Sequence, residues 1–304
     1  MPLRRNILIF HQGALGDFVV TWPLALGLAR VFAQSRVFYV TSSQKGALAE
    51  RVLRVESVDV EGGWYQLFSQ EPKLPDPAMR LIQGARWIIS FVAGAENAWL
   101  QNVRRLAPEA TLVCLSTAPG DQFEGHVTTH LLAQLASWPV LAAAMDQMLK
   151  AITARGIGIP AGNPGGPVVL HPGAGSGKKC WPPERYLELA RLLNSSGRAV
   201  EVVLGEVEME RWPAAQVKAF ENVAVARRTA TLLELLDRIA AASAFVGNDS
   251  GPGHLAGILG VPTISIFGPG DPQSWRPVGP KVQVVCGEWD VIDPTGIIRL
   301  MQNR

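Results

Sequence analysis

Three cysteines in 304 residues, Cys114, Cys180 and Cys286, are too few and too far apart to form a disulfide framework. Neither with one another nor with the five histidines do they fall at metal-ligand spacing. Cys114 and Cys286 sit in apolar, strand-like runs, where a thiol acts as a small core residue. A reducing, cytoplasmic setting follows as the expectation. Charge of one sign is also missing: 28 lysines and arginines face 26 aspartates and glutamates, a net +2, which excludes the basic footprint of a nucleic-acid-binding protein. Long hydrophobic runs are absent. Arg4-Arg5 followed by Ile7–Phe10 imitates a signal peptide, but the run stops at His11-Gln12-Gly13. Phe18–Ala29 is apolar yet short and contains Pro23, so it does not span a bilayer. The chain therefore reads as soluble. No repeat or low-complexity tract appears.

What is present is a regular alternation of strands and helices. Strands are expected near Asn6–Phe10, Arg36–Val40, Ser57–Val60, Trp87–Phe91 and Thr111–Leu115, then near Val168–His171, Val200–Leu204, Asn222–Val225, Ala244–Val246 and Thr263–Phe267. Helical patterns cover Phe18–Phe32, Gln44–Leu53, Asn97–Leu106, Val127–Thr153, Glu184–Leu193, Val207–Phe220, Leu232–Ala242 and Gly253–Leu259. This α/β order implies parallel sheets with right-handed crossovers. Gly156–Pro167, with five glycines and three prolines, interrupts it near the midpoint. The expected organisation is an N-terminal doubly wound domain over 1–155, a linker over 156–167, a second doubly wound domain over 168–290 and a terminal helix over 291–304. Ligands of such sheets bind beyond the carboxyl ends of the strands, so two facing domains are expected to enclose a central cleft.

Three glycine-rich turns follow strands and open helices. In His11-Gln12-Gly13-Ala14-Leu15-Gly16-Asp17 the glycines at 13 and 16 permit close approach of backbone to a ligand. Asp17, at the helix start, reads either as a base that accepts a proton from an attacking hydroxyl or as a helix cap. The G-x-x-G spacing is not a dinucleotide fingerprint. His171-Pro172-Gly173-Ala174-Gly175-Ser176-Gly177-Lys178-Lys179 fails as a nucleotide-triphosphate loop, because Pro172 stands where glycine is needed and Lys179 where Ser or Thr is needed. It still supplies backbone donors and a cation, the means of gripping a diphosphate; the alternative is a solvated surface loop.

The third turn, Asn248-Asp249-Ser250-Gly251 with His254 beyond, is the most informative. Backbone N–H groups at a helix start suit phosphate. Asp249 would repel phosphate and suits sugar or ribose hydroxyls, or a dipole-anchoring role, so the two characters together point to a nucleotide-sugar. His254 lies one turn on, close enough to share that ligand, although a lone histidine in an apolar helix is more often a packing residue. After Val200–Leu204 one of Glu206, Glu208 and Glu210 is placed to hold ribose, while the others merely complement a helix dipole. Trp22, Trp87 and Trp99 read as core; Trp181 and Trp275 sit beside loops of the site and read as lining them.

Taken together, these stretches resemble glycosyltransferase family 9, the ADP-heptose:lipopolysaccharide heptosyltransferase family. The resemblance rests on Gly13–Asp17 with Pro23, on His171-Pro172-Gly173 leading to Lys179-Cys180-Trp181-Pro182, and on Asn248–His254 with Gly260-Val261-Pro262 and Phe267-Gly268-Pro269. It implies a GT-B fold of two Rossmann-like domains and an inverting transfer without a metal or other cofactor. The donor, ADP-heptose by kinship, is then held mainly by the C-terminal domain and the acceptor is a lipopolysaccharide-core or other envelope glycan or glycolipid. Residue by residue, it implies Asp17 as general base, Lys179 on the donor diphosphate, and Asp249, Ser250, Gly251 and His254 in the donor turn. Gly13, Gly16, Gly173, Ala174, Gly175 and Ser176 stand as further substrate-binding positions, and Glu208 is the best match for a ribose-contacting acid. It also implies a cytoplasmic protein with peripheral contact to the inner membrane. One departure stands out: the region around residues 60–85 offers Lys73, Arg80 and Arg86 rather than a basic cluster for a phosphorylated lipid. An epimerase or hydrolase acting on a nucleotide-sugar, or a non-catalytic nucleotide-sugar-binding protein, fits the same turns.

Overall fold

The computed structural model describes residues 6–92, 97–120, 122–268 and 270–302, without the side chains of residues 206 and 207. Arg4, Arg5, Pro269 and the side chain of Glu206, which enter the sequence reading, lie outside the described residues. The chain forms two compact units that divide at Leu149/Lys150.

In unit 1, β1 (Asn6–Phe10), β2 (Arg36–Thr41), β3 (Glu56–Asp59), β4 (Ala85–Ser90) and β5 (Thr111–Cys114) form a sheet in the order β3-β2-β1-β4-β5, every pair parallel. Its helices are α1 (Leu15–Val20), α2 (Trp22–Val31), α3 (Ser43–Leu53), α4 (Asp76–Gln83), α5 (Ala98–Leu106) and α6 (Val127–Gln134), with α7 (Pro139–Arg155) running across the division. In unit 2, β6 (Val168–His171), β7 (Val200–Leu204), β8 (Val225–Arg228), β9 (Ala244–Asn248), β10 (Thr263–Phe267) and β11 (Val282–Cys286) are ordered β11-β10-β9-β6-β7-β8, again all parallel. The helices here are α8 (Pro183–Ser195), α9 (Glu206–Arg211), α10 (Ala214–Glu221), α11 (Leu232–Ala240), α12 (Gly251–Leu259), α13 (Pro272–Trp275) and α14 (Pro294–Gln302). Residues 156–167 run along unit 2, where the N–H groups of Ile157, Gly162 and Asn163 donate to the carbonyls of Ile258, Ala240 and Ala242.

Both sheets reverse direction beside their first strand, between β1 and β4 and between β6 and β9. At such a point the two flanking connections leave in opposite directions and open a crevice at the carboxyl ends. Sequence accounts for the interior strands: Ile7–Phe10 is a continuous apolar run and Thr263–Phe267 adds only the small polar Thr263 and Ser265, and both are buried along their length, as sheets covered by helices on both faces require. In unit 1, Phe10 packs edge-on against Trp64 and Trp99, with centroids 5.3 and 5.1 Å away. The core of unit 2 gathers Trp181, Tyr186, Phe220, Val246, Ile264 and Ile266, and α14 adds Ile297 and Met301.

Three long helices expected from periodicity are each broken at a proline. Pro23 lies in the first turn of α2, Pro139 opens α7 and Pro213 is the N-cap of α10. Proline has no N–H to donate back one turn, so each pattern becomes two helices. The strand expected at Asn222–Val225 lies instead at Val225–Arg228, and α4 and β11 join the expected elements. Cys286, read as a core residue, is exposed on the edge strand β11. Trp22 and Trp99 are buried and Trp87 half-buried. No helix among the described residues is long and apolar enough to cross a membrane.

Candidate active site

The crevice of unit 1 is built on the turn that leaves β1. The N-cap of α1 is Ala14, so Asp17 is not the capping residue; it lies in the first helical turn, half-buried. Gly13 lets the carboxylate fold close, since a Cβ there would stand 3.3 Å from Asp17 Oδ2 and 3.1 Å from His11 Cε1. His11, buried, packs between the rings of Phe18 and Phe91. Burial, helped by the nearby Lys45 charge, pushes its pKa down to about 3, so the imidazole is neutral at physiological pH. Lys45, from α3, donates to the Gly13 carbonyl at 2.8 Å. Desolvation lowers the pKa of this lysine and the charge of Asp17 opposes the shift. Gly16 is half-buried within α1.

In unit 2 the turns after β6 and β9 meet. Lys179 Nζ lies 2.5 Å from Asp249 Oδ2, a pair 70 residues apart in sequence that joins two separately identified motifs. The carboxylate is buried and the ammonium half-exposed, so a charge on the open side is presented by a group held from behind. Gly270 brings the turn after β10 to the same place, since a Cβ there would sit 3.6 Å from Asp249 Oδ2.

Asn248 fixes the two turns to each other. Fully buried, it accepts from the Trp181 N–H (3.0 Å) and the Tyr186 hydroxyl (2.9 Å) through Oδ1. Its Nδ2 donates to the carbonyls of Pro172 (2.8 Å) and Gly173 (3.3 Å). A primary amide can make about four hydrogen bonds, and here all of that capacity goes to the loop after β6 and the start of α8. The Trp181 ring, read as lining the site, is buried in the unit 2 core; the residue meets the site through its backbone.

Ser250 is the N-cap of α12, although its hydroxyl turns back to the Asn248 carbonyl at 3.2 Å. Gly251 opens the helix, and His254 is buried one turn in, its N–H on the Ser250 carbonyl. In the β6 turn, Gly173 and Ala174 are buried while Gly175 and Ser176 are exposed, and Ser176 caps the short 3₁₀ turn that carries Lys179. Among the three acids after β7, Glu208 is buried and Glu210 exposed. Glu208 Oε2 accepts from the Gly205 N–H at 2.8 Å, and Oε1 lies where a Cβ on Gly173 would be, 1.7 Å away. Only glycine at 173 admits that carboxylate.

The turns after β6, β7, β9 and β10 thus converge at one switch point, with Lys179, Asp249 and Glu208 among them. Two side chains escaped the sequence reading. Asn248 was included in its motif without a role. Lys45 left one trace: it is a cation in the first turn of a helix, where the macrodipole disfavours positive charge.

Paired, doubly wound parallel-sheet units, each with polar side chains gathered at its switch point, define an α/β protein of the GT-B type. The sequence profile of Glycosyltransferase family 9 (heptosyltransferase) matches residues 132–292, and the chain belongs to that family of glycosyltransferases. Lipopolysaccharide heptosyltransferase 1 of Pseudomonas aeruginosa is 28% identical over 291 residues, covering 88% of this chain and 79% of that protein. Lipooligosaccharide heptosyltransferase 2 of Haemophilus influenzae is 34% identical over 122 residues, 38% of this chain and 34% of that one. The fold is shared with Escherichia coli ADP-heptose lps heptosyltransferase II, at a TM-score of 0.69 and 17% identity over 98% of both chains. The E. coli heptosyltransferase WaaC with ADP gives 0.67 and 16%, over 98% of this chain and 99% of that one.

Proposed function

We propose that the protein transfers a heptose, or a closely related sugar, from ADP-heptose to a lipopolysaccharide-core or other envelope glycan, with inversion at the anomeric carbon. Unit 2 holds the donor. Lys179 meets the diphosphate, the N-terminus of α12 at Ser250 and Gly251 adds backbone donors, and Gly173–Ser176 lets the backbone close on the phosphates. Glu208 and His254 serve the nucleoside and sugar hydroxyls. Asp249, whose charge would repel a phosphate, takes the role of aiming Lys179.

Unit 1 supplies the base, with Gly13 and Gly16 admitting the acceptor. Asp17 takes the proton of an acceptor hydroxyl as its oxygen attacks the anomeric carbon. The bond from that carbon to the diphosphate oxygen breaks on the opposite face, and the departing ADP carries its negative charge to Lys179. The protein works at the cytoplasmic face of the inner membrane, where a glycolipid acceptor is presented.

The observation that carries this reading is the Lys179–Asp249 pair at the β6–β9 switch point, with membership of family 9 behind it. ADP-heptose and a heptose-deficient lipopolysaccharide core, incubated with the protein, should give the acceptor plus one heptose and an equal amount of ADP. The new anomeric proton should have the configuration opposite to that of the donor. Equal ADP release with and without acceptor would identify a hydrolase instead, and retained configuration would remove the single-displacement step.

A further inference from the structure

We propose that Lys45 is a positioning residue for Asp17: it fixes the Gly13 backbone beside the carboxylate and holds a positive charge toward it. The inference rests on the reading of Asp17 as the base and adds a second residue to that step.

Three observations converge on it. Lys45 Nζ donates to the Gly13 carbonyl at 2.8 Å, across 32 residues of sequence, and Gly13 is the residue against which Asp17 Oδ2 is folded. The side chain is half-buried and its ammonium lies 5.9 Å from the centre of the Phe18 ring, next in sequence to Asp17, so it is committed to this corner of the crevice. The start of α3 is itself held tightly, because a Cβ on the neighbouring Gly46 would come within 2.5 Å of Ser57 Oγ.

Local helix energetics argue against a lysine here. The first turn of α3 contains no acid, its N-cap Ser42 makes no side-chain cap bond, and a cation there opposes the helix dipole. A residue that breaks its local rule marks a place where something else is being satisfied. The charge on Asp17 is that partner, since it favours the protonated form of Lys45 against desolvation.

Two titratable groups that bear on Asp17 are His11, at the end of β1, and Lys45, on α3. His11 is held neutral by burial over the working range, so it contributes no charge that titrates there. The cation near Asp17 favours its ionised form, and removing it raises the pH at which Asp17 loses its proton.

The test is the pH dependence of kcat/KM with ADP-heptose and a fixed acceptor for wild type, Lys45→Met, Lys45→Gln, Lys45→Arg and His11→Gln. In Lys45→Met and Lys45→Gln the acidic limb is expected about half to one pH unit higher, which lowers kcat/KM on that limb by about 3- to 10-fold. Lys45→Arg should return the limb to its wild-type position, and His11→Gln should leave it there. Because Lys45 is half-exposed, two neutral replacements keep the test available if one of them folds poorly. An acidic limb unmoved in a folded neutral variant overturns the inference. So does a limb that shifts as far in Lys45→Arg as in Lys45→Met. The underlying reading fails separately, and visibly, if Asp17→Asn turns over at the wild-type rate.

Discussion

Gly173 and Gly175 stand two residues apart in the same turn and do different work. At Gly173 an added methyl would overlap the Glu208 carboxylate, whereas at Gly175 it would meet nothing within 4 Å. Gly173→Ala should therefore displace Glu208 and cost about 1–3 kcal/mol of stability, together with a loss of nucleotide affinity. Gly175→Ala should leave stability within about 0.5 kcal/mol. Chemical denaturation of the two variants, with nucleotide calorimetry on each, checks the contrast; equal stability would mean that the Glu208 carboxylate is not held against Gly173. The same scale explains why some positions of the candidate site were legible in the sequence and others were not. Asp17, Lys179 and Asp249 sit in short glycine-rich motifs that mark them as candidates. Lys45 does not, because it reaches its carbonyl across a stretch of chain with no motif of its own. Asn248 was visible as a residue, but a buried amide declares its partners only when the loops it ties are seen together.

At the scale of elements, Asn248 is the joint between β9, the turn after β6 and α8. Asn248→Ala removes the acceptor for the Trp181 N–H and the Tyr186 hydroxyl and leaves the Pro172 and Gly173 carbonyls without their donor. Buried polar groups left unpaired cost about 1–3 kcal/mol each. With partial relaxation, the variant should lose at least about 2 kcal/mol in denaturant unfolding. A loss below about 0.5 kcal/mol would contradict the assignment of Asn248 as that joint.

Element prediction succeeded where strands are central. Ile7–Phe10 is apolar on both faces, and Thr263–Phe267 is buried throughout with only Thr263 and Ser265 polar, so both stand out from their neighbours. It slipped at β8, an edge strand whose sequence Val-Ala-Arg-Arg is mostly exposed and carries no buried pattern. Charged side chains on such an edge discourage pairing with another chain, and they also erase the strand signal. The broken helices have one cause. Periodicity counts apolar residues and passes through Pro23, Pro139 and Pro213, whereas the hydrogen-bond ladder does not.

For the whole molecule, the same topological rule operates twice. Each unit starts with a strand that becomes the interior of its sheet, extends to one side and returns to the other. Each therefore offers one crevice at its strand ends, and the motifs read from the sequence fall at those two places. Unit 1 contributes a carboxylate with a lysine and a neutral histidine around it; unit 2 contributes a lysine backed by a buried acid. The proposed function divides the labour between them, a base in one unit and a leaving-group cation in the other.

Its most direct test is the turnover of Asp17→Asn, with donor affinity measured by calorimetry on the same sample. The variant should lose about 10²- to 10⁴-fold in kcat, as expected when a general base is removed, while binding ADP-heptose as tightly as the wild type. Lys179→Ala provides the reference for a donor contact, with nucleotide affinity reduced by about tenfold or more. An Asp17→Asn protein that transfers heptose at close to the wild-type rate would contradict the account.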